Sequence, residues 1–303
     1  MFVLASYCHK NIASDCHVHT TGPSACYNQT DTNLLKAHHM THRPTLRDLE
    51  KPTTTPKEPM GVARTLFAEV FLTVGALLLS FAFYQAFWTN IEAGNRQAAA
   101  GNILAQQWEN PRKNLRPEVG DAFANIYIPA FGTDFVYAIV QGVEDKDLDI
   151  GPGHYEDTQM PGEPGNMGVA GHRVGTGAPF NDLGRLNTCD SLIIETQDTY
   201  HIYKVAPMEP GTGADCFTPE QNSGMTTGQY ANVVGRHITT PLDVSVIEPV
   251  PGNGSGLEQG KQSMLTLTTC HPQFSDRERM IIHAFEVDQI DKATGQIPEE
   301  MKG

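Results

Sequence analysis

Apolar positions change their rhythm twice along the chain. From Thr65 to Trp88, "TLFAEVFLTVGALLLSFAFYQAFW", they run together with one charge, Glu69, near the start. This pattern predicts a helix without a polar face that is long enough to span a bilayer, because a core helix rarely stays apolar all round over such a length. Tyr84 and Trp88 at its far end fit an interfacial aromatic belt. From Ile91 to about Asn114 the composition turns to Ala, Gln and Asn, which predicts a helical stalk. From Asp121 onward, short β-like runs broken by Gly and Pro take over. They are "FANIYIPAF", "FVYAIVQGV", "NMGVAGHRV", "SLIIET", "TYHIYKVAP", "DVSVIEPV", "MLTLTTC" and "RMIIHAFEV". Eight such runs in about 170 residues predict an all-β barrel or sandwich, with short helical turns at "VEDKDLDIG" and "PFNDLGRL".

Charge orients this arrangement. Arg43, Arg47, Lys51, Lys57 and Arg64 precede the apolar stretch, and only Arg96 follows it closely. The positive-inside rule therefore puts the N-terminus in the cytoplasm and the C-terminal part outside the cell membrane, on a single uncleaved anchor. The small residues of "QAAAG" lie too far beyond the apolar core for a cleaved signal peptide. The acidity belongs to the outer part: from Asn90 onward there are 14 Lys/Arg against 29 Asp/Glu, within a net charge of −14 for all 303 residues. That balance argues against a nucleic-acid partner. The expected organisation is a disordered cytoplasmic tail over 1–63, an anchor over 64–88, an extracellular stalk over 89–120, a β-rich folded domain over 121–290 and a C-terminal tail over 291–303. Six of the twelve histidines and Cys8, Cys16 and Cys26 fall in the first 42 residues. Their spacing matches no zinc pattern, and a start at Met40 accounts for the stretch more simply.

Candidate chemistry gathers near the C-terminus. In "SMLTLTTCHPQFSDRERMIIHAFEV" one predicted strand stops at Cys270, Pro272 and Asp276 mark a turn, and Arg277 and Arg279 open the next strand. A cysteine at a strand end beside cations suits a reactive thiol, and the same pattern fits a buried structural cysteine near a surface arginine. Arg277 and Arg279 share parity on an extended strand, and Arg279 directly precedes the apolar run. His271 is expected in the turn. "GHR" at 171–173 ends another apolar run.

"TLTTC" at 266–270, "GHR" at 171–173 and the arginine opening the last strand resemble the signatures of sortases. So do "GPGHYEDTQMPGEPGNMGVAGHR", "APFNDLGRL" and the single N-terminal anchor. The resemblance covers about Asp121 to Val287. "TLTTCHPQFSDRERMIIHA", "YQAFWTN" and the long loop before the cysteine strand look most like class E sortases of high-GC Gram-positive bacteria, and class C pilin polymerases share much of the pattern. The resemblance implies a closed eight-stranded β-barrel with its site at one end. The implied activity is a cysteine transpeptidase that cuts a Leu-Pro/Ala-x-Thr-Gly sorting signal between Thr and Gly. It holds the Thr as a thioester and passes it to an amine on a cell-wall precursor or pilin. Its implied partners are surface proteins with C-terminal sorting signals. The implied nucleophile is Cys270, the general acid/base His172 and the cation Arg279, with Thr269 as a substrate-binding candidate; His271, which follows the nucleophile, is the alternative acid/base, disfavoured because adjacent residues in a strand point apart. No cofactor is implied. A thiol hydrolase and a non-enzymatic surface module on the same barrel are the competing readings, and the intact Cys270, His172 and Arg279 set argues against the second.

The remaining candidates have plainer readings. His154, His201, His237 and His283 are expected as surface or packing residues. Glu156, Asp157 and Glu163 form an acidic loop that reads as solvated rather than as a calcium site. Cys189 and Cys216 either pair or remain as two buried thiols.

Overall fold

The computed structural model describes residues 60–109, 117–252 and 260–302. The expected cytoplasmic tail, apart from its last four residues, and the cysteine- and histidine-rich N-terminus lie outside the described residues. The chain divides into two compact units, one of 10–78 and one that includes 79–303. Helix α1, Met60–Phe83, contains the predicted apolar span up to Phe83, and a π-helical turn, Tyr84–Trp88, carries its last five residues. Within it, Arg64–Phe83 is long and apolar enough to cross a membrane, and none of this window is buried.

The second unit is built on nine strands: β1 Ala122–Tyr127, β2 Val136–Gln141, β3 Gly153–His154, β4 Gly165–Ala170, β5 Ser191–Glu195, β6 Thr199–Val205, β7 Arg236–Thr239, β8 Ser263–His271 and β9 Glu278–Asp291. The order is β6-β5-β1-β2-β3-β4-β8-β9-β7, and a further β6–β9 pairing closes the ring. Eight strands thus form a barrel, and β7 lies outside the closure as an added edge on β9. The long β9 makes this possible. Its first part, Arg279–Ile282, pairs with β7, and its later part, Ala284–Asp291, pairs with β6. Closing the sheet removes the unpaired edges that an open sheet would expose.

Alternation fills the barrel. Ala124 and Ile126 on β1, Met167 and Val169 on β4, Leu265 and Leu267 on β8, and Ile282 and Ala284 on β9 point inward. Phe180, Leu183 and Leu186, from the β4–β5 connection, join this core. The outer face is covered too, which is why several strands are buried on both sides. Helix α3, Asp145–Leu148, lies after β2, and α4, Pro219–Thr226, carries Met225 against Phe285 and Met264. Both predicted helical turns are present, the second as a 3-10 turn at Leu183–Arg185.

Three expectations need correction. "DVSVIEPV" is not a strand. Asp243 caps a 3-10 turn, Val244–Ile247, by accepting the Ser245 N–H, and Pro241, Pro249 and Pro251 interrupt any ladder. The short β3 and β7 carry strand pairing that the pattern did not reveal. The segment read as a stalk contains α2, Thr89–Trp108, which lies on the barrel: Ala100 and Leu104 pack on Ala122, Ala138 and Val140. The Gln97 side chain takes both backbone groups of Ala138, accepting its N–H at 2.6 Å and donating to its carbonyl at 3.1 Å, and donates to the Ile150 carbonyl at 2.8 Å. The C-terminal tail is likewise docked. Lys292 reaches Glu195 at 2.7 Å and lies over the Trp108 ring, and Lys204 pairs with Glu300 at 2.9 Å. Cys189 and Cys216 form a disulfide.

Candidate active site

The sheet register assembles the site. In the antiparallel β8–β9 pair, Cys270 stands directly opposite Arg279. Opposite residues in such a pair project to the same face with Cβ atoms about 5 Å apart. Since Leu265 and Leu267 face inward, Cys270 belongs to the outer face of the barrel wall, where it is half-buried and not disulfide-bonded. Arg279 is buried, at 6% exposure. Its guanidinium donates to the carbonyls of Asp276 and Glu278 at 2.9 and 3.0 Å, so the turn that follows Cys270 holds the cation in place.

The histidine arrives from the neighbouring strand. β4 runs parallel to β8 with Ala170 beside Thr268. The next residues, Gly171-His172-Arg173, therefore leave the ladder at the height of Cys270. Gly171 donates to the Thr268 carbonyl at 3.0 Å, and its own carbonyl accepts the Thr269 hydroxyl at 2.8 Å. A Cβ at 171 would collide with the Phe180 ring, so this position requires glycine. The Phe180 N–H donates to the His172 carbonyl at 3.0 Å. Burial pushes the His172 pKa below its usual value, and the carboxylates of Asp149 and Asp145 oppose that shift. Beyond Arg173, Gly175, Thr176, Gly177 and Ala178 all have positive φ. That strained turn is pinned by the Tyr137 hydroxyl, which donates to the Gly177 carbonyl at 3.1 Å, and by Asn90 of α2, which accepts the Gly177 N–H at 3.3 Å.

Cys270, Arg279 and His172 thus come to one end of the barrel. Arg277 is exposed and contacts Ser275 in the turn. Thr269, expected on the substrate side, faces inward and uses its hydroxyl on Gly171. His271, expected in the turn, is the last residue of β8, opposite Glu278. His154, His201 and His283 are packing residues, each buried. Among the described residues no group of three or more His, Cys, Asp or Glu side chains is placed to hold a metal ion. Glu163 instead accepts the Met160 N–H at 2.9 Å.

Two residues near the site were missed from the sequence. The Tyr155 hydroxyl bonds to that of Thr268 at 2.9 Å, on the same outer face as Cys270. Arg173 reaches the Cys270 carbonyl at 3.2 Å. Both stand in quoted motifs, yet nothing in local spacing indicates contacts about one hundred residues away in the chain. Together the site offers a thiol, an imidazole and an obligate cation, the groups that acyl transfer through a thioester needs.

A sortase domain model matches residues 126–287, and the chain belongs to the sortase family. Its likeness within that family is to class E sortases. It is 34% identical to Sortase SrtE1 of Streptomyces coelicolor over 243 residues, which is 78% of this chain and 60% of that protein's length. It is 24% identical to Sortase SrtE2 of the same organism, over 79% of this chain and 88% of that one. The solved SrtF sortase from Corynebacterium diphtheriae superimposes with a TM-score of 0.60 at 51% identity, covering 64% of this chain and 98% of that one.

Proposed function

We propose that this chain is a membrane-anchored cysteine transpeptidase that cleaves a Leu-Ala/Pro-x-Thr-Gly sorting signal between Thr and Gly. The observation that carries the reading is the β8–β9 register that sets Cys270 opposite Arg279, with the His172 loop bonded to the same strand end. In this mechanism the Cys270 thiolate attacks the Thr carbonyl carbon. Arg279 holds the developing oxyanion, since a guanidinium keeps its charge at any working pH. The Thr–Gly C–N bond breaks as His172 gives its proton to the leaving amine, which leaves a thioester on Cys270. An incoming amine, from a cell-wall precursor or a pilin, then attacks the thioester carbonyl and loses a proton to His172, and the thiolate departs. Thr269 serves by holding the His172 loop rather than by touching the peptide.

The apolar span of α1 serves as the anchor, with the basic flank in the cytoplasm and the barrel outside. The Cys189–Cys216 disulfide suits such an oxidising compartment. A reporter fused after Gly303 is expected to be active only outside the cell, and cytoplasmic activity would overturn the topology.

Cys270→Ala tests the chemistry. The variant is expected to keep the fold by circular dichroism while losing all cleavage of a Leu-Ala-x-Thr-Gly peptide and all thioester by intact mass. Residual thioester would sink the assignment. Hydroxylamine or a glycine amine should accelerate turnover of the wild type; no acceleration would indicate a thiol hydrolase.

A further inference from the structure

We infer that Arg173 is a positioning residue for this reaction, locking the loop that carries His172 to the strand end that carries Cys270. The inference rests on the transpeptidase reading above. Where β4 stops, its parallel ladder with β8 stops too, and the next bonds are made one at a time. The Gly171 N–H donates to Thr268, the Thr269 hydroxyl donates to Gly171, and Arg173 Nη1 donates to the Cys270 carbonyl at 3.2 Å and to His271 Nδ1 at 2.6 Å. His172 lies between the Gly171 and Arg173 ties, so its backbone is fixed on both flanks to the residues around the nucleophile. The Arg173 tie adds a hold on the far side of His172, just before residues that occupy a strained left-handed path.

The chemistry of the contact is one-directional. A guanidinium has five donors and no acceptor. His271 Nδ1 must therefore accept, which fixes the Nε2–H tautomer of this imidazole. The adjacent histidine is thereby committed to holding Arg173, and its Nδ1 is withdrawn from proton transfer. That division leaves His172 as the histidine available to the thiol. Arg173 Nε is buried without a hydrogen-bond partner, a cost the fold sustains at this position alone among its described arginines. Such a cost is understandable where the fork must point at a fixed place, because near-attack geometry is sensitive to displacements of about 1 Å.

The test uses the full chain in detergent, with Arg173→Met, Arg173→Lys and Cys270→Ala. Arg173→Met is expected to lower kcat about 100-fold on a Leu-Ala-x-Thr-Gly peptide while KM stays within about twofold, the split that misplacement of reacting groups produces. Arg173→Lys, which keeps the charge and one bond, is expected to recover about a tenth of wild-type kcat. In selectively 15N-histidine-labelled protein, His271 is expected as the Nε2–H tautomer in the wild type and as a tautomer mixture in Arg173→Met. A merely structural arginine would not couple kcat to that signature. Wild-type kcat in folded Arg173→Met, a loss confined to KM, or an unchanged His271 tautomer would each overturn the proposal. Should Arg173→Met fail to fold, wild-type kcat in Arg173→Lys overturns it instead. Cys270→Ala separates the two readings: if it remains active, the transpeptidase assignment fails, whereas an inactive Cys270→Ala beside a fully active Arg173→Met rejects only the role of Arg173.

Discussion

Two polar clusters lie on the same outer face of β8, about 13 Å apart at four residues' separation. At Thr266 the cluster is sealed. Its hydroxyl donates to Asn166 Oδ1 at 2.7 Å and meets His283 Nδ1 at 2.8 Å, and Asn166 Nδ2 donates to the Val246 and Glu248 carbonyls. Thr266 is 0% exposed, and burial pushes the His283 pKa down to about 3. At Cys270 the cluster is half open and holds a buried guanidinium. The difference comes from the connection between β7 and β8, whose 3-10 turn covers Asn166 and Thr266 and packs Ile247 beside Gly168. Under that cover only a neutral, mutually bonded set is stable, because an unpaired charge there would cost several kcal/mol. At the uncovered end solvent and turn carbonyls tolerate charge. One strand thus provides a rigid base and a reactive tip. Burial pushes both histidines down against nearby carboxylates, Asp243 at His283 and Asp149 and Asp145 at His172, and they differ in setting: His283 is bonded to Thr266 inside the sealed set, whereas His172 stands at the open end.

If that contrast is right, damage at the tip should cost rate and damage at the base should cost stability. The largest effect is expected for His172→Ala, with kcat/KM falling about 10²–10⁴-fold as proton transfer is lost. His271→Ala should lose far less, and the reverse order in steady-state kinetics would exchange the two roles. Arg279→Lys keeps the charge and loses the planar fork, for an expected loss of about 2–4 kcal/mol in transition-state binding. Arg277→Lys is expected to be neutral on the same peptide. If neither change matters, the oxyanion is held by other groups.

At the base, Thr266→Val should leave Asn166 and His283 each short of a partner and lower stability by about 1–3 kcal/mol in urea unfolding, with little change in kcat. A kinetic defect without a stability defect would erase the distinction between the clusters. The smallest expected effect is one of pH. The folded-state pKa of His283, about 3, lies below its usual value near 6.5, so between these values the unfolded chain binds the extra proton. The stability associated with the neutral imidazole is therefore fully present above about pH 6.5 and is lost progressively as pH falls toward 3. His283→Gln removes this titration. The stability gap between wild type and His283→Gln should shrink from pH 7 to pH 5, and a gap that stays constant would show that His283 does not couple to folding.

Much of this was legible in order along the chain. The uninterrupted apolar run of α1, the alternation in β1, β8 and β9, and the arginine at the start of the last strand are local patterns, since side-chain period follows directly from backbone geometry. Cys270 and Arg279 are separated by one turn, so a hairpin expectation already places them together. The strands that failed were those whose pairing owes nothing to their own pattern. β3 is two residues long and exists because β2 and β4 pass on either side of it. "DVSVIEPV" has strand composition, and its own Asp243 cap and prolines bend it into the cover over Asn166. By itself the sequence determined the apolar helix, most of the barrel strands, the sortase resemblance and the three reactive side-chain types. Only the tertiary structure decided that α2 docks on the barrel, that Cys189 pairs with Cys216, that Thr269 turns inward and that Arg173 reaches Cys270. These depend on contacts between residues far apart in the chain, whose energies arise only once barrel closure and register bring them within hydrogen-bond range.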